Sequence, residues 1–387
     1  MSNISTFSDY AAQFRHFIAE HSTRAASIAS QSTEEQPFLA LALALFRLQW
    51  AGNAPYRRWC ESLGIGSGQV SDWRQIPAVP TAAFKELELT SLPPHERTAM
   101  FCSSGTTGQR PSRHFHNAES LQLYEASLRP WFYTHFLTGT ERSSALSTRA
   151  FAPLPRLLCL TPPPAAAPHS SLVYMFEAIS RAPAFAGQAA FFGGVDASGA
   201  WVLDVNAALE ALRIAVQTDQ PVALLGTAFN FVHLLDQAND LRLKLPAGSR
   251  LLETGGYKGR SRVIPKTELH RWMTTRLGVP PSHIVCEYGM CELSSQAYDL
   301  QVASAAVATP ERTFQFPSWA RVQIISPETG NELEEGQTGL IRVFDLANLR
   351  SVLAVQTEDL GVQRGAGFVL RGRAVQAEPR GCSLITS

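Results

Sequence analysis

The chain has 387 residues, 45% of them hydrophobic and 17% charged, which allows two or three lobes and rules out a small disulfide-stapled fold. Its 33 basic side chains are matched by 33 acidic ones, so no excess charge draws it to a phosphate backbone and no nucleic-acid partner is expected. High apolar content with no net charge is also the reverse of the disordered signature.

The start, Met1 to Tyr10, carries no Lys or Arg and leads into no apolar stretch, so no secretory signal is expected. The longest apolar run, Phe38 to Phe46, falls far short of the roughly 20 residues that span a bilayer, so no membrane span is expected either. The six cysteines, at 60, 102, 159, 286, 291 and 382, form no CxxC pair. They read as reduced thiols in a cytoplasmic protein, and their spacing supports no zinc motif.

In chain order, apolar spacing near 3.6 from Phe7 to about Leu63 predicts helices, a packing segment over residues 1–75. The Pro-marked passage Ile76 to Pro80 leads to a hydroxyl and glycine loop at Ser103 to Gly108. Over 76–319, short apolar runs such as Arg156 to Leu160 and Pro221 to Leu225 alternate with helical patterns such as Leu203 to Val216 and Thr267 to Leu277. Such alternation predicts a layered α/β core, with Thr267 capping the last helix and Gly278 ending it. From Ala320 to the tail the texture turns to strands, at Arg321 to Ile325, Leu340 to Phe344, Val352 to Gln356 and Gly367 to Leu370, a mostly β sublobe over 320–387.

Four segments carry chemistry. Ser103-Ser104-Gly105-Thr106-Thr107-Gly108 packs four hydroxyls and two glycines into six positions, a composition that suits an anion, although the Lys of the common P-loop is missing. His283 to Glu292 reads as a buried strand breaking at Gly289, with Glu292 beyond its carboxyl end, where open α/β sheets bind ligands and a carboxylate can hold Mg²⁺. Thr357-Glu358-Asp359-Leu360-Gly361 puts an acid at a strand end, placed to accept from ribose hydroxyls. Leu370-Arg371-Gly372-Arg373 offers a cation for phosphate or ribose. Taken singly, each has a plainer reading: a solvated turn, a surface Glu, an ordinary turn, a solvated tail.

Their order is the signal. Hydroxyl-Gly loop, Tyr288-Gly289-x-x-Glu292, Thr357-x-Asp359-Leu360 and Gly372-Arg373 together resemble the adenylate-forming superfamily of acyl and aryl ligases, over roughly residues 75 to 387. Leu252-Glu253-Thr254-Gly255-Gly256 falls where that superfamily has a Gly-rich turn against adenine. The continuations Gln109-Arg110-Pro111-Ser112, Tyr257-Lys258-Gly259 and Glu378-Pro379-Arg380-Gly381-Cys382 look like the acyl-protein synthetases, the fatty-acid ligase component of bacterial luminescence and its relatives.

This resemblance implies a large α/β N-terminal domain with a β sublobe and no separate C-terminal lid domain, since few residues follow Cys382. It implies ATP and Mg²⁺ as cofactors and a carboxylic acid of the fatty-acid class as substrate. The acyl group, activated as acyl-AMP, is captured on Cys382 and passed to an acyl-accepting reductase or carrier protein. Ser103, Ser104, Gly105, Thr106, Thr107 and Gly108 would hold phosphates, Glu292 the metal, Gly255, Gly256, Tyr288 and Gly289 the adenosine, Asp359 the ribose, and Arg373 the ribose or phosphate. The superfamily's lid lysine would be missing, with Arg110, Arg113 or Lys258 as substitutes. Phe191 to Gly194 and Gly226 to Phe231 are candidates for an apolar acyl channel. Three other readings stay open: a ligase that uses coenzyme A or a carrier protein directly, a non-catalytic nucleotide or lipid binder, and a thiol hydrolase.

Overall fold

A computed structural model of the protein describes residues 4–22, 28–103, 110–137, 154–238, 242–255, 264–300 and 311–374. The chain opens with helices α1 (Phe7–His21), α2 (Ile28–Gly52) and α3 (Ala54–Ser62), as the 3.6-residue spacing predicts. Thr6 caps α1 by accepting from the Asp9 N–H while Asp9 accepts from the Thr6 N–H, so two donors at the helix start are satisfied reciprocally. Strand β1 (Val79–Pro80), helix α4 (Ala83–Glu86) and the hairpin of β2 (Ala99–Cys102) and β3 (Arg113–His116) lead into α5 (Ala118–Phe132).

Alternation follows: β4 (Arg156–Cys159), α6 (Ser171–Ser180), β5 (Ala189–Phe191), a small hairpin of β6 (Gly193–Val195) and β7 (Trp201–Leu203), then α7 (Val205–Gln217) and β8 (Val222–Thr227). Helix α8 (Ala228–Gln237), β9 (Arg250–Thr254), α9 (Lys266–Leu277) and β10 (Ile284–Tyr288) complete it. The remainder is strands: β11 (Ala297–Leu300), β12 (Thr313–Gln315), β13 (Ala320–Ile325), β14 (Thr338–Asp345), β15 (Ala354–Arg364) and β16 (Gly367–Arg373).

Twelve of these strands form one sheet in the order β13-β14-β15-β16-β12-β11-β10-β9-β8-β4-β5, with β1 beside β15. Strands β5, β4, β8, β9 and β10 are parallel, and pairing becomes antiparallel from β11 to β13. Strands β4, β8, β9 and β10 are buried on both faces, which is why their sequences are dominated by consecutive apolar residues, while β5 is a half-buried edge strand. Leu157, Ala223, Leu225, Leu252 and Val285 face a core shared with α1, α2, α5 and α6. Their neighbours Leu158, Leu224, Leu251 and Ile284 face the core under α7, α8 and α9. The result is a layered α/β fold, as the alternation of elements predicts. Helix α9 departs from expectation at its start: Pro265, not Thr267, is the N-cap residue and no side chain caps it, while Gly278 does end it in the left-handed conformation at φ 67°.

One junction ties the layers together. Asp345, at the end of β14 and fully buried, accepts from the Ser294 N–H (2.8 Å), the Ser295 N–H (2.8 Å), the Ser295 hydroxyl (2.7 Å) and the Ala347 N–H (2.9 Å). It therefore holds the segment that follows Glu292 against the turn that follows β14. That turn is gripped from the other side by the first helices, through Tyr10 Oη to the Leu346 carbonyl (2.9 Å), Gln49 Nε2 to the Asn348 carbonyl (2.6 Å) and Asn53 Nδ2 to the Ser351 carbonyl (3.1 Å). Replacing Asp345 by Asn turns an NH₂ group toward these donors and leaves some of them buried without partners. Asp345→Asn is expected to destabilise the protein by about 3 kcal/mol, seen as a lower urea midpoint.

Candidate active site

The hairpin β2–β3 carries the base of the hydroxyl-glycine loop. Ser103 closes its mouth, donating its N–H to the Ser112 carbonyl (3.1 Å) and accepting the Ser112 N–H on its hydroxyl (2.9 Å). Ser104, Gly105, Thr106, Thr107 and Gly108 lie outside the described residues. Two residues beyond Ser112, buried His114 approaches the Cys291 carbonyl with Nδ1 at 2.8 Å. A carbonyl only accepts, so Nδ1 carries the proton, and burial lowers this imidazole to about 4, keeping it neutral. The contact places the base of the loop beside the residue that precedes Glu292.

Strand β10 ends at Tyr288, and the next residue, Gly289, leaves room for the Glu287 carboxylate, whose Oε1 would stand 2.2 Å from a Cβ there. Glu292 follows with 5% of its surface exposed. Its Oε2 accepts from the Cys291 thiol (3.2 Å) and its carbonyl from Asn348 Nδ2 (3.0 Å), and neither partner is a cation. A buried carboxylate just past the carboxyl end of a parallel strand, with no cation paired to it among the described residues, fits a Mg²⁺ ligand.

Asp359 is not at a strand end. It sits within the 11-residue strand β15, beside a register shift between Leu360 and Gly361 where β16 supplies the extra residue Arg371. The shift sets Arg373 opposite Asp359, and Arg373 Nε meets Asp359 Oδ1 at 3.0 Å. Tyr288 Oη donates to the other oxygen, Oδ2, at 2.9 Å. Three residues named from separate sequence motifs are thus one hydrogen-bonded set, and each carboxylate oxygen keeps a lone pair for a further donor. Tyr288 is held edge-on to Phe368, with ring centroids 5.3 Å apart. Its ring is 7% exposed and its hydroxyl is raised well above the ordinary tyrosine value by burial and by the Asp359 charge.

Gly255 ends β9 with φ 69°, a left-handed turn that suits glycine. Gly256, Lys258 and Cys382 lie outside the described residues. Of the proposed lysine substitutes, Arg110 pairs with Glu86 (3.7 Å) and Arg113 with Glu88 (3.3 Å). The parallel strands change direction of winding between β4 and β8, since β5 and α6 lie to one side and β9 and β10 to the other. Phe191 to Gly194 and Gly226 to Thr227 stand at the carboxyl ends beside this switch, whereas Phe231 belongs to the core under α8. Buried Thr161, just past β4, has a hydroxyl without a partner among the described residues.

Pattern reading names Glu287 only as the alternative to Glu292 for the metal, and does not anticipate its environment inside β10. Glu287 is 7% exposed and lies opposite Tyr298 in β11 and Thr254 in β9, whose hydroxyl donates to it. Burial, only partly opposed by that hydrogen bond, raises its carboxyl to about 7. The signal was present: a charged residue in an otherwise apolar strand needs either a partner or a proton. Because the folded value lies above the ordinary 4.5, the stabilisation by the bound proton is complete below that value and is lost as pH rises through about 7. Glu287→Gln is expected to cancel this loss, so its urea midpoint should gain on the wild type between about pH 5 and about pH 8. A constant difference across that range would show that Glu287 does not titrate there.

Among the described residues no helix is long and apolar enough to cross a membrane. No protein-family model matches the chain. Over 79 residues the chain is 38% identical to a long-chain-fatty-acid–luciferin-component ligase of Vibrio harveyi, a match that spans 20% of this chain and 21% of that relative. A 2-hydroxyisobutyryl-CoA ligase in complex with 2-HIB-AMP and CoA superposes with a TM-score of 0.59 at 15% identity, covering 88% of this chain and 68% of that one. The same ligase in its postadenylation state with 2-HIB-AMP gives 0.57 at 13% identity, covering 87% and 67%. The chain spans 49% of the length of an ATP-bound MatB from Rhodopseudomonas palustris, with a TM-score of 0.48. The chain therefore has the fold of the adenylate-forming superfamily, and over 79 residues its sequence is similar to a long-chain-fatty-acid–luciferin-component ligase.

Proposed function

We propose that the protein activates a long-chain fatty acid with ATP as acyl-AMP and captures the acyl group as a thioester on Cys382, for delivery to an acyl-accepting reductase or carrier protein. The observation that carries the ligase reading is the joining of Tyr288, Asp359 and Arg373 into one hydrogen-bonded set from three distant motifs. The short sequence match to a fatty-acid ligase supports the choice of acid and of acceptor.

Bound ATP supplies the electrophile, its α-phosphorus. The acid's carboxylate oxygen attacks it, the bond to the bridging oxygen breaks, and pyrophosphate leaves. Asp359 accepts from the ribose hydroxyls with its remaining lone pairs, and Tyr288 and Arg373 hold that carboxylate in one orientation. Glu292 holds the Mg²⁺, and Thr106 and Thr107 donate to the β and γ phosphates. The acyl chain runs past Phe191 and Phe192 at the switch between β4 and β8. In the second step the Cys382 sulfur attacks the acyl carbonyl, its proton leaves to solvent, and the bond to AMP breaks.

The test is acid-dependent ATP–pyrophosphate exchange across fatty and aryl acids. Exchange is expected with fatty acids, and Glu292→Gln should lower it roughly a hundredfold with the fold intact. Nucleotide binding without exchange for any acid would instead mark a binding protein. Asp359→Ala should act mainly on the KM for ATP, because the ribose contact is made in ground and transition states alike.

With labelled fatty acid, ATP and Mg²⁺, the wild type should acquire a hydroxylamine-sensitive label. Cys382→Ser should acquire none while keeping exchange. Label retained by Cys382→Ser, or acyl-CoA formed by Cys382→Ala, would move the acceptor from this cysteine to a soluble thiol.

A further inference from the structure

On the face of the sheet opposite Glu287, at the ends of β9 and β10, three side chains from three elements converge. Glu253 Oε2, His270 Nε2 and Cys286 Sγ stand 3.3 Å (Glu–His), 3.1 Å (Glu–Cys) and 3.7 Å (His–Cys) apart, and all three residues are buried. With the metal–ligand distances of a tetrahedral zinc site, a carboxylate oxygen, an imidazole nitrogen and a thiolate sulfur sit about 3.3 to 3.6 Å from one another. Glu253 Oε1 is buried and has no hydrogen-bond partner among the described residues, while every donor converges on Oε2. A carboxylate with one saturated oxygen and one bare oxygen is unusual in a protein interior, where an unmet acceptor is costly.

The position is filled at present by an ammonium group. Lys266 Nζ lies 3.2 Å from Glu253 Oε2 and 3.6 Å from Cys286 Sγ. Its side chain is 42% exposed, so it can withdraw into solvent without rearranging the core. Arg312 differs, being tied to Asp299 and to the Ile284 carbonyl (3.0 Å), with Cys286 Sγ at 3.6 Å. Asp299 in turn accepts the Cys286 N–H at 2.7 Å.

We propose that Glu253, His270 and Cys286 form a site for a thiophilic divalent cation of the zinc type, which replaces the Lys266 ammonium and the thiol proton. The exchange leaves the buried charge unchanged. With lysine in place, two carboxylates face Lys266 and Arg312 around a neutral thiol and imidazole; with the ion in place, two carboxylates and a thiolate face the dication and Arg312. No uncompensated charge is buried in either state, the condition that most often forbids such a site. One proton per ion leaves the thiol for solvent, and three protein ligands leave a fourth position for water. Sulfur and imidazole ligands select this ion over Mg²⁺, which separates the site from Glu292. Glu253 stands two residues before Gly255 and Cys286 two before Tyr288, so an ion here fastens together the two strand ends that bear the proposed adenosine contacts.

The experiment is metal binding by the chelator-treated full chain, read independently of any ligase activity. One equivalent of Zn²⁺ is expected per chain with release of a proton, and Co²⁺ should give a near-ultraviolet sulfur-to-metal charge-transfer band. Cys286→Ser, folded by circular dichroism, should lose that band. Lys266→Ala, which alters a half-exposed side chain, should bind Zn²⁺ roughly tenfold more tightly than the wild type because its competitor is gone. Absence of stoichiometric Zn²⁺ uptake by the folded wild type, a band that survives in Cys286→Ser, or weaker binding by Lys266→Ala would each overturn the proposal.

Discussion

The Asp345 carboxylate is the interaction on which the candidate site rests. Four donors meet it at 2.7 to 2.9 Å, three of them from Ser294 and Ser295, so the chain leaving β10 has one path available. Glu292 lies between that anchor and the His114 contact at Cys291, and it is positioned from both sides by groups that take no part in its chemistry. Burial outweighs those donors and raises Asp345 above the ordinary aspartate value, which measures how completely water is excluded there.

Sheets covered on both faces leave few places for charge, and Asp345, Glu287 and Glu253 meet that constraint in different ways. Asp345 is surrounded by donors. Glu287 has one hydroxyl donor and is pushed toward its protonated form. Glu253, which burial alone would raise, is held down to about 2 by Lys266, His270 and Cys286. Glu253 and Glu287 stand near the carboxyl ends of the parallel strands β9 and β10, the edge where ligands bind in open α/β sheets, whereas Asp345 ends the antiparallel strand β14.

The antiparallel part of the sheet contributes through register more than through composition. The shift at Leu360 and Gly361 brings Arg373 opposite Asp359, and the path of β11 and β12 between β10 and β16 sets how closely Tyr288 approaches them. A slip of one residue would turn Asp359 to the other face and separate it from Tyr288. The N-terminal helices act on the same edge from a distance, because Gln49 spans the Asn348 carbonyl and the Leu353 N–H (2.6 and 2.7 Å) and so fixes the turn that Asp345 begins.

The sequence by itself determined the elements and the order of the motifs, because both are local. Apolar spacing marked α1 to α3, consecutive apolar residues marked strands buried on both faces, and the order of the hydroxyl-glycine loop, Glu292, Asp359 and Arg373 pointed to an adenylate-forming fold. Only the tertiary structure decided which side chains meet. Tyr288 and Asp359 are 71 residues apart and Ser295 and Asp345 are 50 apart, so their pairing depends on strand order and register, which no local pattern encodes. The same holds for Glu253, His270 and Cys286. Their spacing resembles no metal motif, and they are neighbours only because parallel pairing aligns β9 with β10 under α9.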